Sequence, residues 1–176
     1  TLSSGFFGED ITLDIYTDLK EFYTPANGFS RLHLCRRYGK LHILKSLQPF
    51  YSSQEFYKQL LLKEFNIGYQ LDHPNIRHTL GWEKNDLLGN YIVLEYIDGI
   101  PLTTFIEQGK LTQALAYKFI TEICNALQYI HSKQLIHKDL KPNNILITHN
   151  GNNVKLIDFG LADCDDYEIL KIPAGT

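Results

Sequence analysis

Asp139, Lys141, Asn144 and Asp158 fall within one short run, residues 136–160, IHKDLKPNNILITHNGNNVKLIDFG. Two acids, an amide and a lysine can hold a hard divalent cation and neutralise a moving anionic group. Their spacing alone brings them together. Residues 145–148 and 154–157 are β-prone runs, and His149-Asn150-Gly151-Asn152 lies between them. Asn-Gly between such runs is a strong hairpin signal. Asn144 stands seven positions before Gly151 and Asp158 seven after it. The spacing therefore predicts that they face each other at the open end of the hairpin, about 5 Å apart at the backbone. Asp139 and Lys141 sit on the loop that feeds the same end. Mg²⁺ suits such a cluster, because it takes one or two carboxylates and completes its shell with water and phosphate oxygens. The other acid could then orient a hydroxyl, and Lys141 could neutralise a transferring phosphoryl group. The plain alternative is a solvated hairpin with polar ends, but four suitable groups converge and the strands between them are apolar.

Other elements must position this cluster. Thr112 is placed to cap a long helix running to about His131, with Leu115, Phe119, Ile120, Ile123, Leu127 and Ile130 as its core face. Residues 102–107 read as a short helix ended by Gln108-Gly109. Upstream, His42-Ile43-Leu44-Lys45 reads as a buried strand after a turn at Tyr38-Gly39-Lys40. A second helix follows, with Ser52 and Glu55 as a capping box. Its apolar stripe is Phe56, Leu60, Ile67 and Leu71, and Glu64 falls on that stripe. A buried carboxylate is costly unless a cation meets it, and Lys45 on the facing strand is the natural partner. Residues 91–96 read as one more buried strand.

The catalytic run resembles the catalytic and metal-binding loops of eukaryotic-type protein kinases. The family pattern stands here as His137-Lys138-Asp139, Asn144 and Asp158-Phe159-Gly160, with Lys141-Pro142 as in the Ser/Thr type. The resemblance implies an α+β, bilobal fold: an N-lobe over 1–96, with an extension over about 1–20, and a partial C-lobe over 97–176. It implies ATP and Mg²⁺ as cofactors and a protein as substrate. Asp139 would be the base or orienting acid, Lys141 would contact the γ-phosphate, and Asn144 and Asp158 would hold magnesium. Lys45 would hold the α- and β-phosphates, oriented by Glu64. His73-Pro74-Asn75-Ile76 suits the family's exit from that helix, and Ile97-Asp98-Gly99 resembles the hinge between lobes. Leu94 would back the adenine pocket, and the Glu95 carbonyl and Ile97 amide would bond the adenine edge. Asn27, Gly28, Leu32 and Leu146 would complete the nucleotide site. His137 would pack on Phe159 as a structural histidine.

The chain departs from the family in several places. The phosphate-covering loop aligns to 25–32, PANGFSRL, and lacks all three motif glycines. Ile43 stands where a small residue usually borders the adenine. Gly68 replaces an apolar residue four after Glu64, and the sequence predicts a gap there and a helix weakened by about 1 kcal/mol. Lys138 replaces an arginine whose bidentate fork a lysine cannot reproduce, so the resemblance does not extend to control by activation-loop phosphorylation.

Composition bounds the rest. A chain of 176 residues, 44% hydrophobic and 21% charged, makes one domain or two small lobes. A net charge of −3 suggests neither nucleic acid nor an acidic membrane surface as a partner. Cys35, Cys124 and Cys164 are scattered and odd in number, which fits a reducing compartment and a cytoplasmic home. No apolar run is long enough to span a membrane, and the first twenty residues do not read as a signal peptide. The chain contains no methionine, initiator included, and it stops at Gly175-Thr176. We therefore expect a piece of a longer protein. Oligomeric state is not legible. Two other readings compete with a protein Ser/Thr kinase: a pseudokinase scaffold or nucleotide-binding module, and a small-molecule phosphotransferase of related fold. The Asp-Leu-Lys-Pro and Asp-Phe-Gly-Leu runs speak against the last.

Overall fold

The computed structural model describes residues 16–23, 28–136, 140–157 and 163–164. A five-stranded antiparallel sheet comes first. It is built from β1 (Tyr16–Tyr23), β2 (Ser30–Arg37), β3 (Lys40–Leu47), β4 (Thr79–Asn85) and β5 (Gly89–Glu95), in the order β1-β2-β3-β5-β4. β3 lies between β2 and β5 and is buried from His42 to Leu47, as an apolar run at the middle of a covered sheet must be. The β2–β3 turn falls at Tyr38-Gly39, both with positive φ (50° and 78°). Two such residues give the turn that matches the strands' right-handed twist.

Helix α1 (Glu55–Tyr69) packs across β3, β4 and β5. Its start corrects the expected capping box. Gln54 is the N-cap and makes no side-chain cap bond, while the Ser52 hydroxyl donates to the Pro49 carbonyl in the preceding turn (2.8 Å). The buried stripe is Leu60, Leu61, Glu64, Ile67 and Gly68. Phe56, expected on that stripe, is instead 43% exposed and stacks edge-on with Tyr57. Its neighbour Tyr57 carries the first turn's contact with the core instead.

The second part holds β6 (Gly99–Pro101), α2 (Leu102–Glu107), α3 (Gln113–Ser132), β7 (Leu135–Ile136), β8 (Ile145–Thr148), β9 (Val154–Leu156) and β10 (Asp163–Cys164). β6, β8 and β9 make one sheet and β7 pairs with β10. Thr112 caps α3 by accepting from the Leu115 amide (3.1 Å), as expected. Phe119, Ala126 and Ile130 are buried, and Leu115, Ile123 and Leu127 pack beside them. Ile120, expected in that face, is 62% exposed. One residue on from Phe119 is about 100° round the helix, which turns Ile120 away from the core that Phe119 enters.

The β8–β9 hairpin forms as read, but its register is one residue off the expected one. Ile145 pairs with Leu156 and Ile147 with Val154, and Thr148 N–H donates to the Asn153 carbonyl (3.0 Å). The loop is thus centred between Asn150 and Gly151 rather than on Gly151. Asn144 therefore faces Ile157, whose N–H donates to its carbonyl (3.0 Å), while Asp158 lies outside the described residues. The hairpin is tied to the segment after α1: Leu156 N–H donates to the Asn75 carbonyl (2.8 Å), and Arg77 N–H to the Leu156 carbonyl (2.9 Å).

Candidate active site

Lys45 and Glu64 meet as the periodicity of their elements demands. Along β3, Ile43, Lys45 and Leu47 point to the face that α1 covers. The Lys45 ammonium donates to Glu64 Oε1 at 2.6 Å, with the two side chains 11% and 9% exposed. Neither charge tolerates that burial alone, so each explains the other. An ammonium carries three donors, and Lys45 can serve a carboxylate and a further anion together.

The helix comes close enough because of Gly68. A Cβ at that position would run into the Thr79 hydroxyl and approach the Thr79 Cβ to 3.2 Å. Thr79 of β4 takes up the space next to Gly68, so what remains of the expected gap is narrow. Glu64, Gly68, Arg77, Leu94 and Ile157 line a narrow crevice beside the ion pair. Ile43 is buried against this face together with Leu94, so the sheet side of the expected adenine pocket is walled by aliphatic carbon. Leu32 lies on β2 directly opposite Lys45 and is half-buried.

On the hairpin side, Asn144 ends a 3₁₀ turn over Pro142–Asn144 and is 7% exposed. Its N–H donates to the Lys141 carbonyl (2.8 Å), which fixes the half-buried lysine at the mouth of the turn. Asn143 anchors the same turn by accepting from the Thr103 hydroxyl of α2 (2.5 Å). Leu146 is half-buried on β8, opposite Pro101 and Lys155. Asn27, Asp139 and Asp158 lie outside the described residues, as do His137, Lys138 and Phe159.

Glu95 closes β5 and Ile97 follows it, half-buried. The Glu95 carboxylate accepts from the His78 backbone N–H (2.9 Å) and lies 2.9 Å from His78 Nδ1, with Lys155 Nζ at 3.5 Å. Burial alone would raise its pKa, but the His78 N–H, the His78 ring and Lys155 together hold it below the ordinary value.

Five residues here escape sequence reasoning. Gln48 Nε2 donates to the carbonyls of Gly28 (2.8 Å) and Ser30 (3.3 Å), and the Gln48 N–H to that of Phe29 (2.8 Å). This staples residues 28–30 to the end of β3. Phe29 tucks against Tyr57 of α1, ring centroids 5.3 Å apart. Thr79, His78 and Lys155 act through tertiary contacts to which no periodicity points.

Comparison with known proteins agrees with this geometry. The family model for the protein kinase domain matches residues 28–168. The Serine/threonine-protein kinase PrkC of Bacillus subtilis is 37% identical over 122 residues, 68% of this chain and 18% of that protein. Serine/threonine-protein kinase ppk25 of Schizosaccharomyces pombe is 36% identical over 126 residues, 71% of this chain and 29% of that one. Serine/threonine-protein kinase RUNKEL of Arabidopsis thaliana is 41% identical over 118 residues, 66% of this chain and 8% of that one. The matched region thus spans between 8% and 29% of the length of these curated relatives.

Proposed function

The chain belongs to the protein kinase domain family, and we propose that the protein transfers the γ-phosphoryl group of ATP to a serine or threonine hydroxyl of a protein. The observation that carries this reading is the Lys45–Glu64 pair, 2.6 Å long and nine-tenths buried. A scaffold has no physical need to bury two charges beside a crevice. Lys45, held by Glu64, would draw the α- and β-phosphates under the sheet. The Glu95 carbonyl and Ile97 amide would bond the adenine edge, against Leu32, Leu94 and Leu146. Gly28 and Asn27 would border the phosphates.

The donor chemistry fits magnesium: Asn144 offers a buried amide beside the strand that leads to Asp158, and one carboxylate with one amide leaves room for water and phosphate oxygens. Bound there, the ion would neutralise charge on the phosphates. Asp139 would orient the attacking hydroxyl and Lys141 would steady the transferred group. Most of the rate would come from alignment and charge stabilisation, because phosphoryl transfer asks little covalent chemistry of the protein. On this reading 1–96 and 97–176 are the two lobes. No helix among the described residues is long and apolar enough to cross a membrane. Cys35 and Cys124 are free thiols, which supports a cytoplasmic site of action.

The test is transfer of labelled phosphate from ATP to a protein substrate, with Asp139→Asn beside the parent. Transfer lost by at least about a hundredfold in the variant supports the proposal. Undiminished transfer removes Asp139 from its role. A second reading, a nucleotide-binding module without turnover, is favoured by the buried Ile43 and the stapling of residues 28–30. Binding of Mg-ATP without any transfer would select it.

A further inference from the structure

His78, just before β4, joins two carboxylates from two other places in the fold, and a lysine reaches one of them. Its Nδ1 lies 2.9 Å from Glu95 Oε2 at the end of β5, and its Nε2 lies 3.1 Å from Asp72 Oδ1 in the segment after α1. Lys155 of β9 reaches the other Glu95 oxygen at 3.5 Å. The backbones reinforce the contact: Glu95 N–H donates to the His78 carbonyl (3.0 Å), and His78 N–H to Glu95 Oε2 (2.9 Å). The His73 ring stands in the same segment, stacked near Tyr129, and burial lowers its pKa, so it adds little positive charge.

A carboxylate only accepts. A neutral imidazole donates from one nitrogen, whereas an imidazolium donates from both. Both ring nitrogens can therefore donate to a carboxylate at once only in protonated His78. Glu95 is also the residue whose backbone would meet the adenine, so its side-chain partners sit directly behind the nucleotide edge.

We infer that His78 is a positioning residue for that edge, acting through Glu95. Protonated, it clasps Glu95 and Asp72 together and holds the backbone from Glu95 to Ile97 ready to bind. Neutral, it releases one carboxylate and lets that backbone relax. The inference rests on the reading of Glu95 and Ile97 as the adenine contact. The hydrogen bonds to Glu95 and then to Asp72 raise the His78 pKa against burial and Lys155, so the clasp persists above the ordinary histidine midpoint.

Adenosine is the probe of choice, since it has no phosphate that titrates in this range. Its affinity for the chain is measured at pH 6 and pH 8, beside His78→Gln, which keeps a donor and does not titrate. Binding by the parent weakens by about fivefold at the higher pH, and His78→Gln shows no such slope. The same slope in both proteins overturns the inference. Absence of adenosine binding by the folded chain at either pH overturns the nucleotide reading instead. The His78 ring signal, followed by NMR through a pH titration, separates the two failures. A midpoint above the ordinary value that falls in Asp72→Asn supports the clasp, and an ordinary midpoint unmoved by that change removes it.

Discussion

The two faces of the five-stranded sheet each hold a carboxylate against a cation, and they finish the task differently. On the face away from α1, both oxygens of Glu83 are occupied. Tyr16 and Tyr91 donate to Oε2 (2.7 and 3.0 Å), and Arg37 donates to Oε1 (3.0 Å). The Arg37 guanidinium also lies over the Tyr16 ring, 5.4 Å from its centroid. Cys35, Leu44, Leu88 and Val93 surround this network. Burial, and then the bond to Glu83, push the Tyr91 hydroxyl up to about 12. On the α1 face, Glu64 meets the Lys45 ammonium, whose point charge can also serve a phosphate. A carboxylate shared among three donors is a structural device. One matched to a lysine beside a crevice is suited to chemistry.

The largest break comes from Lys45→Met. It leaves Glu64 buried without the cation that meets it, and stability should fall by about 3 kcal/mol in urea unfolding. A loss as small as that expected for Tyr91→Phe would erase the contrast between the faces. Gly68→Ala tests how closely the α1 face is packed. A methyl there improves helix propensity by about 1 kcal/mol but meets Thr79, and overpacking costs about 1–3 kcal/mol. A net loss should result, and adding Thr79→Ala should recover part of it. A gain from Gly68→Ala alone would restore the gap that the sequence suggested. Tyr91→Phe removes one of three donors from Glu83 and should cost about 1 kcal/mol, with no effect on nucleotide.

The smallest effect is a pH dependence at the end of β5. The Glu95 pKa is lowered, so its contribution is present above about 4.5 and fades as pH falls through its folded value. The His78 pKa is raised, so its contribution is complete below about 6.5 and fades as pH rises through its folded value. Thermal stability should thus gain from the clasp most between those limits and decline toward pH 8. His78→Gln should flatten the decline. A parent protein whose melting temperature is level across that range would contradict the assignment.

The sequence made some of this legible and hid the rest for physical reasons. Lys45–Glu64 could be read because two periodicities aim a lysine and a glutamate at each other and Coulomb's law forbids burying either alone. The Thr112 cap, the Tyr38-Gly39 turn and the bounds of α2 are local chemistry and were equally plain. The hairpin register was misread by one residue because Asn-Gly marks a turn but not where its loop is centred. Phe56 and Ile120 were placed in the core because an apolar residue near a stripe says nothing about whether a neighbour covers it. Ser52 had two acceptable bonding choices, and the turn took it. Gly68 reads as a deletion because nothing in the pattern shows that Thr79, eleven residues on, packs against it. His78 and Gln48 act wholly through tertiary contacts, where pattern carries no signal.

The central claim is that the α1 face, and not its opposite, builds a nucleotide site. Thermal unfolding of the parent, Tyr91→Phe and Lys45→Met, each with and without Mg-ATP, tests it most directly. A ligand at a hundred times its dissociation constant stabilises a fold by about 2.7 kcal/mol. The account predicts that magnesium-dependent rise in the parent and in Tyr91→Phe, and none in Lys45→Met. No rise in a folded parent, or an undiminished rise in Lys45→Met, would contradict it.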